Sequence, residues 1–338
     1  SFAMKIVLPM AGYGTRLRPH TWSKPKPLIS MAGKPMLGYV LDMFATIPNI
    51  EQVVFIVGYL GEQIETYVDQ AYPELNTRYV VQDEMLGQSH AIWLAREGLE
   101  GPMLMAFVDT LIETDFSGLP TEQAEAVAWV RRVPDPRRFG VAEVSPEGWV
   151  KRLIEKPDDT SNNLAVIGFY YFENAETLLD AIEKQMKRGT QLKGEYYLVD
   201  AINIMLEQGL KMRVEPIEIW HDCGTPEAIL ETNRYILEHI CDNSDQAAER
   251  EGVKVVPPVF IDPTADIQQS VIGPHTSIGA NCIIERSEIK NSVIDADSYI
   301  ADSNLSASLI GRQARVVGCD LPLNIGDSSV VGDLIPDP

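Results

Sequence analysis

Residues 4–19 read MKIVLPMAGYGTRLRP, and this stretch decides the fold of the amino-terminal part of the chain. Its apolar run stops at Pro9 and enters a turn with two glycines, which is typical of a buried strand followed by a loop. Apolar runs over 53–58 and 103–109 repeat this pattern, and the segments 35–47 and 62–71 that separate the runs have helical spacing. Strands that alternate with helices predict an α/β fold, a Rossmann-like parallel sheet with helices on both faces.

The sequence changes character over residues 126–172, where four apolar strands are separated by turns rich in proline and aspartate. This predicts a more antiparallel addition to the same domain. Further on, Thr225 is suited to cap a helix that runs to about Cys241, with Pro226 and Glu227 in its first turn. The polar segment that follows predicts domain boundaries of 4–241 for a first domain, 242–252 for a linker and 253–338 for a second domain.

The second domain has a repeat of its own. Aliphatic residues recur in steps of five or six, at Ile261, Ile267, Ile272, Ile278, Ile284, Ile289, Ile294, Ile300, Leu305, Ile310 and Val316. Neither a helix of 3.6 residues per turn nor the two-residue alternation of a plain strand produces this spacing. It predicts a hexapeptide-repeat, left-handed parallel β-helix of three to four coils, in which each short strand turns one aliphatic side chain inwards.

Composition narrows the possible partners. The 338 residues include 28 Lys and Arg against 49 Asp and Glu, so the net charge is 28 − 49 = −21, which disfavours binding to nucleic acid or to anionic membranes. No apolar stretch reaches the ~18 residues of a membrane span. The four cysteines are far apart and the start lacks the pattern of a signal peptide, so we expect a reduced, cytoplasmic protein without zinc or disulfides.

One segment departs from this acidic character, because residues 1–41 contain six basic residues and no acidic one. Either a salt-bridged face or an anion site would explain this. Within the segment, Gly12 and Gly14 would let backbone N–H groups approach phosphate oxygens, and Arg16 and Lys26 would add positive charge. The loop matches neither a P-loop nor a dinucleotide-binding fingerprint, since Thr15-Arg16 follows the second glycine and no third glycine comes three residues later. A different kind of phosphate-binding loop is therefore predicted.

These residues resemble the signature of the sugar-1-phosphate nucleotidylyltransferases, Gly-x-Gly-Thr-Arg-Leu followed by a lysine in Pro-Lys-Pro-Leu. Here the two motifs are residues 12–17 and 25–28. The resemblance continues in order over residues 4–240, and the β-helix is similar to the tail of several branches of the family. It implies an enzyme that transfers a nucleotidyl group from an NTP to a sugar-1-phosphate, releasing pyrophosphate and forming an NDP-sugar, with Mg²⁺ as cofactor.

The resemblance also implies a role for individual residues. The expected nucleotide-binding residues are Ala11, Gly12, Gly14, Thr15, Gln82 and Gly87. The expected sugar-phosphate-binding residues are Gly140, Glu155, Lys156, Asn163 and Val166. The expected metal ligands are Asp109 and Asp222, and the catalytic set consists of Arg16, Lys26, Asp109, Lys156 and Asp222. From the residues alone, the two aspartates could equally cap turns, and Lys156 and Asn163 could be ordinary loop residues.

The choice of substrate follows from weaker signals. The amide of Gln82 can both donate and accept, which suits a pyrimidine, although it could flip to meet adenine. We therefore expect dTTP or UTP with glucose-1-phosphate, with GTP and mannose-1-phosphate as the alternative. Thr110 and the Phe107-Val108 pair that precedes Asp109 depart from the family pattern, which leaves base and sugar open. A non-catalytic protein that senses nucleotide sugars is a further alternative, which the four residues Arg16, Lys26, Asp109 and Asp222 together argue against.

The β-helix is expected to assemble subunits into a homo-oligomer and to take no part in catalysis. Its strand edges and end coils need cover, and the apolar final stretch makes a poor polar cap. Removing the chain from about Ser244 onwards should then reduce the assembly size and leave measurable transferase activity.

Overall fold

A computed structural model describes residues 2–332 of the chain. The chain divides into two compact units, Ser1–Gly12 with Val40–Trp220, and Tyr13–Tyr39 with His221–Pro338. This grouping differs from the predicted boundaries, because residues 13–39 and the helix after residue 225 belong with the carboxyl-terminal part. The end of the predicted β-helix domain, residues 333–338, lies outside the described residues.

The elements up to residue 252 include both helices and strands. The strands are β1 (Met4–Pro9), β2 (Ser30–Met31), β3 (Lys34–Pro35), β4 (Ile50–Val57), β5 (Thr77–Val81), β6 (Met103–Ala106), β7 (Thr110–Ile112), β8 (Ala126–Arg132), β9 (Gly140–Val144), β10 (Val150–Glu155), β11 (Leu164–Phe172), β12 (Met212–Pro216) and β13 (Trp220–Asp222). The α-helices are α1 (Met36–Met43), α2 (Gly61–Ala71), α3 (Gln88–Leu94), α4 (Ala175–Arg188), α5 (Leu198–Glu207), α6 (Pro226–His239) and α7 (Ser244–Ala248). Short 3₁₀ helices occur at Thr15–Leu17, His20–Trp22, Lys26–Leu28, Phe44–Thr46 and Leu119–Thr121.

The first unit is built on a mixed sheet in the order β10-β9-β11-β6-β1-β4-β5, with β8 and β12 joined to it through β11. Strands β6, β1, β4 and β5 run parallel, whereas β11 pairs antiparallel with β6, β8 and β9. The predicted α/β class and the antiparallel addition are confirmed. Every residue of β1 is buried, as expected for a strand covered on both faces.

The register of the parallel strands brings their ends together. Pro9 pairs with Ile56 across β1 and β4, and Val57 pairs with Val81 across β4 and β5. Because the strands are parallel, the residues that follow each of them emerge at one edge of the sheet. We therefore expect the loops after these strands to meet a ligand.

The second unit contains the repeat that the aliphatic spacing predicts. Its strands are β14 (Val253–Val255), β15 (Val259–Ile261), β16 (Asp266–Gln268), β17 (Ser270–Ile272), β18 (Thr276–Ile278), β19 (Ile283–Glu285), β20 (Glu288–Lys290), β21 (Ser292–Ile294), β22 (Tyr299–Ala301), β23 (Asn304–Ser306), β24 (Leu309–Ile310), β25 (Arg315–Val317), β26 (Asn324–Ile325) and β27 (Val330–Val331). They form three parallel sheets, β14-β17-β20-β23, β15-β18-β21-β24-β26 and β16-β19-β22-β25-β27. All eleven predicted aliphatics are buried in one core, and the left-handed β-helix is confirmed.

The β-helix is longer than predicted. Within the described residues it has four complete coils and two strands of a fifth, where the sequence spacing predicts three to four coils. The count from Ile261 to Val316 left out β14 at the start. It also missed β26 and β27 at the end, because the segment 319–323 interrupts the five-or-six spacing before Ile325. The last coil contacts residues 19–23, which belong to the acid-free segment 1–41.

The start of the β-helix lies in the stretch predicted as a linker. Helix α7 occupies Ser244–Ala248, and Ala247 is buried in the core of the β-helix. The side chain of Asn243 accepts from the backbone N–H of Ile261 at 2.9 Å and donates to its carbonyl at 2.7 Å. The polar residues of this stretch thus cap the first coil, a use that composition alone does not distinguish from a connector.

Three further expectations concern local structure. Helix α6 begins as predicted, since the Thr225 side chain accepts from the backbone N–H of Ala228 at 3.2 Å and Pro226 opens the first turn. The four cysteines, all within the described residues, form no disulfide. Among the helices of residues 2–332, none is long and apolar enough to cross a membrane.

Candidate active site

At the sheet edge of the first unit, Ala11 and Gln82 converge on Gly58. A Cβ atom at Gly58 would lie 2.7 Å from the carbonyl oxygen of Ala11 and 3.1 Å from that of Gln82. Any larger residue would push these two segments apart, because both contacts are to backbone. Gly58 was absent from the predicted site, although a glycine directly after a buried strand is a signal that could have indicated it.

Gly12 and Gly14 owe their presence to different constraints. Gly12 is exposed, lacks a positive φ, and a Cβ there would meet no atom within 4 Å. Nothing in the described protein requires that residue to be glycine, whereas close approach of a ligand to the backbone would. Gly14, in the second unit, has φ +64°, and a Cβ there would lie 3.0 Å from Thr21 and 3.1 Å from Lys26. The glycine conformation therefore packs the loop directly against Lys26.

The side chain of Gln82 is held from two sides. Its Nε2 lies 3.2 Å from the carbonyl oxygen of Gly87 and 3.1 Å from Nδ1 of His90. Burial lowers the pKa of His90, so the ring is neutral near pH 7 and Nδ1 can accept the hydrogen bond. Both Nε2 protons are then occupied within the protein, and Oε1 is the atom of Gln82 that can accept from a ligand.

The position of Gly87 is fixed by the backbone of Tyr196. Gly87 has φ +98°, and a Cβ there would lie 2.6 Å from the Tyr196 carbonyl oxygen and 2.7 Å from its nitrogen. Only glycine tolerates both the conformation and the close approach. The predicted nucleotide-side residues Gln82 and Gly87 are thus brought together.

Asp109 lies between β6 and β7, beyond the carboxyl end of a central parallel strand. The Thr110 hydroxyl donates to its Oδ1 at 3.4 Å. The bulky Phe107, which departs from the family pattern, is accommodated by Gly168, where a Cβ would lie 2.6 Å from the ring and φ is +90°. The backbone N–H of Phe107 also donates to the Gly168 carbonyl at 3.1 Å.

The predicted sugar-side residues form a small group around Gly140. A Cβ at Gly140 would lie 2.9 Å from Val166 and 3.1 Å from the Glu155 carboxylate. Burial raises the pKa of Glu155 above its ordinary value. Asn163 makes a different contact, accepting at Oδ1 from Arg132 at 2.9 Å. This hydrogen bond links Asn163 to the end of β8, and its role at the sugar stays a prediction.

The side chain of Lys156 is held in place by a hydrogen bond to Tyr197. Its Nζ donates to the Tyr197 hydroxyl at 2.9 Å, and this hydrogen bond raises the pKa of Lys156. The lysine therefore stays charged at neutral pH. Its backbone has φ +47°, a conformation that non-glycine residues rarely adopt and that often marks functional positions.

In the second unit, Arg16 and Asp222 meet at Gly224. The Gly224 N–H donates to Asp222 Oδ1 at 2.9 Å, and a Cβ at Gly224 would lie 3.0 Å from that oxygen and 3.0 Å from Arg16 Nη2. The Arg16 guanidinium and the Asp222 carboxylate thus both lie next to Gly224, which has no side chain. Arg16 and Thr15 are exposed in the short 3₁₀ helix after Gly14, so this charge is accessible to a ligand.

Comparison with known proteins identifies the family. The family model described as nucleotidyl transferase matches residues 5–239. The chain belongs to the nucleotidyl transferase family. The low-salt glycan biosynthesis nucleotidyltransferase Agl11 of Haloferax volcanii is 33% identical over 98% of both chains. A glucose-1-phosphate thymidylyltransferase of Streptomyces griseus is 31% identical, covering 96% of this chain and 98% of the relative.

The structural comparison agrees on the fold. A UDP-glucose pyrophosphorylase complexed with UDP-glucose matches with a TM-score of 0.61 at 24% identity, covering 70% of this chain and 99% of the other. The family and the enzyme class inferred from the glycine-rich loop, a sugar-1-phosphate nucleotidyltransferase, are confirmed.

The predicted residues of this nucleotidyl transferase divide between the two units. The first unit contains Ala11, Gly12, Gln82, Gly87, Asp109, Gly140, Glu155, Lys156, Asn163 and Val166, and the second contains Gly14, Thr15, Arg16, Lys26 and Asp222. Within residues 2–332, no three His, Cys, Asp or Glu side chains cluster as a metal site. Carboxylates in ones or twos still suit Mg²⁺, which usually takes one or two protein carboxylates and completes its shell with phosphate and water.

Proposed function

We propose that this nucleotidyl transferase uses dTTP or UTP and glucose-1-phosphate, and releases pyrophosphate as it forms the nucleotide sugar. Transfer onto a sugar-1-phosphate is the activity that the confirmed family carries. The observation that carries the proposal is the packing of Gly14 against Lys26 and of Arg16 and Asp222 against Gly224. Departure of pyrophosphate is helped by a loop that a phosphate can reach and by positive charge beside it, here that of Arg16 and Lys26.

The chemistry needs no general base. A sugar-1-phosphate is already ionised near pH 7, so its oxygen can attack the α-phosphorus of the NTP directly. The new bond joins this oxygen to the α-phosphorus, and the bond from the α-phosphorus to the bridging oxygen breaks, so that the electron pair leaves with pyrophosphate. The protein positions the reactants and neutralises the charge that develops on the leaving group. We assign the second task to Arg16 and Lys26.

Asp109 and Asp222 are the proposed carboxylate ligands of Mg²⁺. Carboxylate oxygens are the donors this ion prefers, and Asp222 is oriented by the Gly224 N–H on Oδ1. When bound, the ion would supply positive charge to the NTP phosphates. Gly12, open and without a side chain, is proposed to let the triphosphate approach the backbone.

The base preference rests on the orientation of Gln82. With Nε2 occupied by Gly87 and His90, Oε1 is proposed to accept a hydrogen bond from an N–H group of the base. Thymine and uracil offer N3–H and guanine offers N1–H, whereas cytosine and adenine carry an acceptor at the corresponding ring nitrogen and can donate only from their exocyclic amines. This arrangement suits the proposed dTTP or UTP, and it suits GTP as well, so GTP with mannose-1-phosphate is the second candidate.

The proposal is tested by a panel of NTPs, comprising dTTP, UTP, GTP, ATP and CTP, against several sugar-1-phosphates, scored by pyrophosphate release. We expect turnover with dTTP or UTP and glucose-1-phosphate, and little with ATP or CTP. Turnover with GTP and mannose-1-phosphate alone would establish the second candidate. Tight binding of a nucleotide sugar without turnover of any pair would identify a sensor.

Lys156→Ala should raise the KM for sugar-1-phosphate without a comparable change in the KM for the NTP. One charge-assisted contact to phosphate is worth about 1.5–3 kcal/mol, or roughly ten- to hundredfold. Tyr197→Phe serves as the matched control, because it removes the hydroxyl at 2.9 Å and keeps the charge, so its effect should be smaller and on the same substrate. Equal effects of Lys156→Ala on both substrates would remove Lys156 from the acceptor site.

The β-helix surface supports the expected homo-oligomer. Three large apolar side chains of the β-helix are exposed, namely Ile283 (41%), Leu321 (68%) and Val330 (50%). We propose that a second copy of the chain covers them. Light scattering of the full-length protein should give a mass above 37.6 kDa, and Leu321→Asp should lower it. A monomeric mass at micromolar concentration would contradict the proposal.

A further inference from the structure

One basic residue of the acid-free segment 1–41 forms ion pairs within the protein. Nζ of Lys24 lies 3.1 Å from Oδ2 of Asp295 and 3.3 Å from Oδ1 of Asp327. The three side chains are only 13%, 18% and 15% exposed, respectively. Ion pairs with so little solvent contact are screened less than surface pairs and hold their geometry more firmly. Lys24 is therefore tied to the β-helix.

The two carboxylates belong to different coils of one sheet. Asp295 directly follows β21, and Asp327 follows β26 by two residues. Strand β24 lies between them, and Gly311 occupies the position in that coil that corresponds to Asp295. Because the middle coil presents no side chain there, one lysine can meet acids from the coils on either side. Asp295 lies within the repeat that the sequence spacing predicts, whereas Asp327 belongs to the incomplete fifth coil beyond it.

Further contacts in the same unit join the segment to the β-helix near Lys24. Nε2 of His20 pairs with Oδ1 of Asn324, and the Ser23 hydroxyl donates to Asp327. A Cβ at Gly326 would lie 3.0 Å from the carbonyl oxygen of Pro19. The 3₁₀ helix His20–Trp22 is thus seated on the final strands.

The other end of the segment is held as well. Gly33 (φ +78°) lies against the ring of Phe260, where a Cβ would come within 2.2 Å. Asn233 of α6 accepts at Oδ1 from the Ala32 N–H and from the Ser277 hydroxyl, each at 3.0 Å. Contacts to the first and last coils therefore bracket the residues between Pro19 and Gly33, which include Lys26.

We propose that the third and fifth coils of the β-helix position the loop that carries Arg16 and Lys26, through the contact of Lys24 with Asp295 and Asp327. Lys24 is two residues from Lys26, and the intervening Pro25 limits the backbone freedom between them. The β-helix is then a positioning element for the reaction. This inference rests on the proposed function only for the part that concerns turnover.

A direct role of Lys24 in phosphate binding would conflict with its surroundings. Two carboxylates within 3.3 Å already neutralise the ammonium group, and a phosphate brought to it would meet their negative charge. The salt-bridged face that the sequence left open as an explanation of the acid-free segment thus applies to Lys24, whereas Arg16 at Gly224 remains accessible.

The test uses the full-length chain with Asp295→Asn and Asp327→Asn combined. Asparagine keeps the oxygens that accept from the backbone N–H groups of Ala296 and Arg312, both at 2.7 Å, so the coils should stay folded. We expect amide hydrogen exchange over residues 13–28 to become about tenfold faster, as loss of charge-assisted contacts implies. We also expect kcat to fall by a similar factor with a smaller change in the KM for sugar-1-phosphate.

Three further variants complete the experiment. Lys24→Met should reproduce the double variant, and Lys24→Arg should restore much of the rate because it keeps the charge. Arg286→Met, which breaks an exposed pair with Asp302 on the same β-helix, is the matched control and should leave exchange over 13–28 and kcat unchanged. Equal melting temperatures of all variants would exclude general unfolding as the cause.

Several outcomes would overturn the inference. Unchanged exchange over residues 13–28 in the Asp295→Asn, Asp327→Asn variant would show that the coils do not hold the loop. Loss of turnover in Lys24→Met without loss in that variant would make Lys24 a substrate contact. If the wild-type chain turns over no pair in the panel, the proposed function fails, and the exchange measurement still decides whether the β-helix positions the loop.

Discussion

Replacing Asp109 or Asp222 by alanine is expected to abolish turnover while the fold is retained. If these carboxylates hold Mg²⁺, each replacement removes a ligand and with it positive charge that offsets the developing negative charge. Removal of a single preorganised electrostatic contact typically costs about a hundred- to a thousandfold in kcat. The measurement is pyrophosphate release at saturating Mg²⁺, with circular dichroism as the check on folding.

Turn capping, the ordinary role of such aspartates, is separated from metal binding by two further variants. Asp222→Asn keeps an oxygen that can accept the Gly224 N–H and removes the charge, so it should be as inactive as Asp222→Ala. Asp115 accepts the Ser117 N–H at 2.8 Å in the same i to i+2 arrangement, and Asp115→Ala should leave turnover unchanged. If either Asp109→Ala or Asp222→Ala kept more than a small fraction of wild-type kcat, that residue would not be a metal ligand.

The sequence predicted the β-helix better than any other part of the fold. Its inward residues recur every five or six positions, and the register stacks them directly, as in Ile261, Ile278, Ile294 and Ile310. The spacing in the sequence follows directly from the coil, because each coil buries one aliphatic side chain per side. The coil count fell short at both ends, at β14 before Ile261 and beyond the interrupted spacing around residues 319–323.

The candidate site was predictable only in part. The glycine-rich loop and the residues at strand ends follow from local pattern, because parallel strands deliver their carboxyl ends to one edge. The contacts of Gln82 with His90 and of Lys156 with Tyr197 do not, since each joins residues through tertiary packing that no periodicity encodes. The ion pair of Lys24 and Asp327 joins residues about three hundred positions apart. The composition shows only that the segment containing Lys24 has basic residues and no acidic ones.

Arg16→Ala and Lys26→Ala should each lower kcat by about a hundredfold or more, with a smaller effect on the KM for sugar-1-phosphate. Both side chains are assigned to the leaving pyrophosphate, whose charge develops only as the bond breaks, so their loss falls on the transition state. Single-turnover rates at saturating substrates measure this directly. Arg18→Ala is the matched control for Arg16, because the Arg18 guanidinium stacks on Trp22 at 3.8 Å and is assigned no contact with substrate.

Gly224→Ala tests the same assignment without removing a charge. The new methyl group would lie 3.0 Å from both Arg16 Nη2 and Asp222 Oδ1, so both groups must move to relieve the contact. Because catalysis depends on placing charge to within a fraction of an ångström, we expect a loss of kcat of about tenfold or more. Arg16→Ala in the Gly224→Ala background should then cost less than it does in the wild-type chain. If the two losses simply multiplied, or if Arg16→Ala lowered kcat no more than Arg18→Ala, then Arg16 would not act on the leaving group from its position at Gly224.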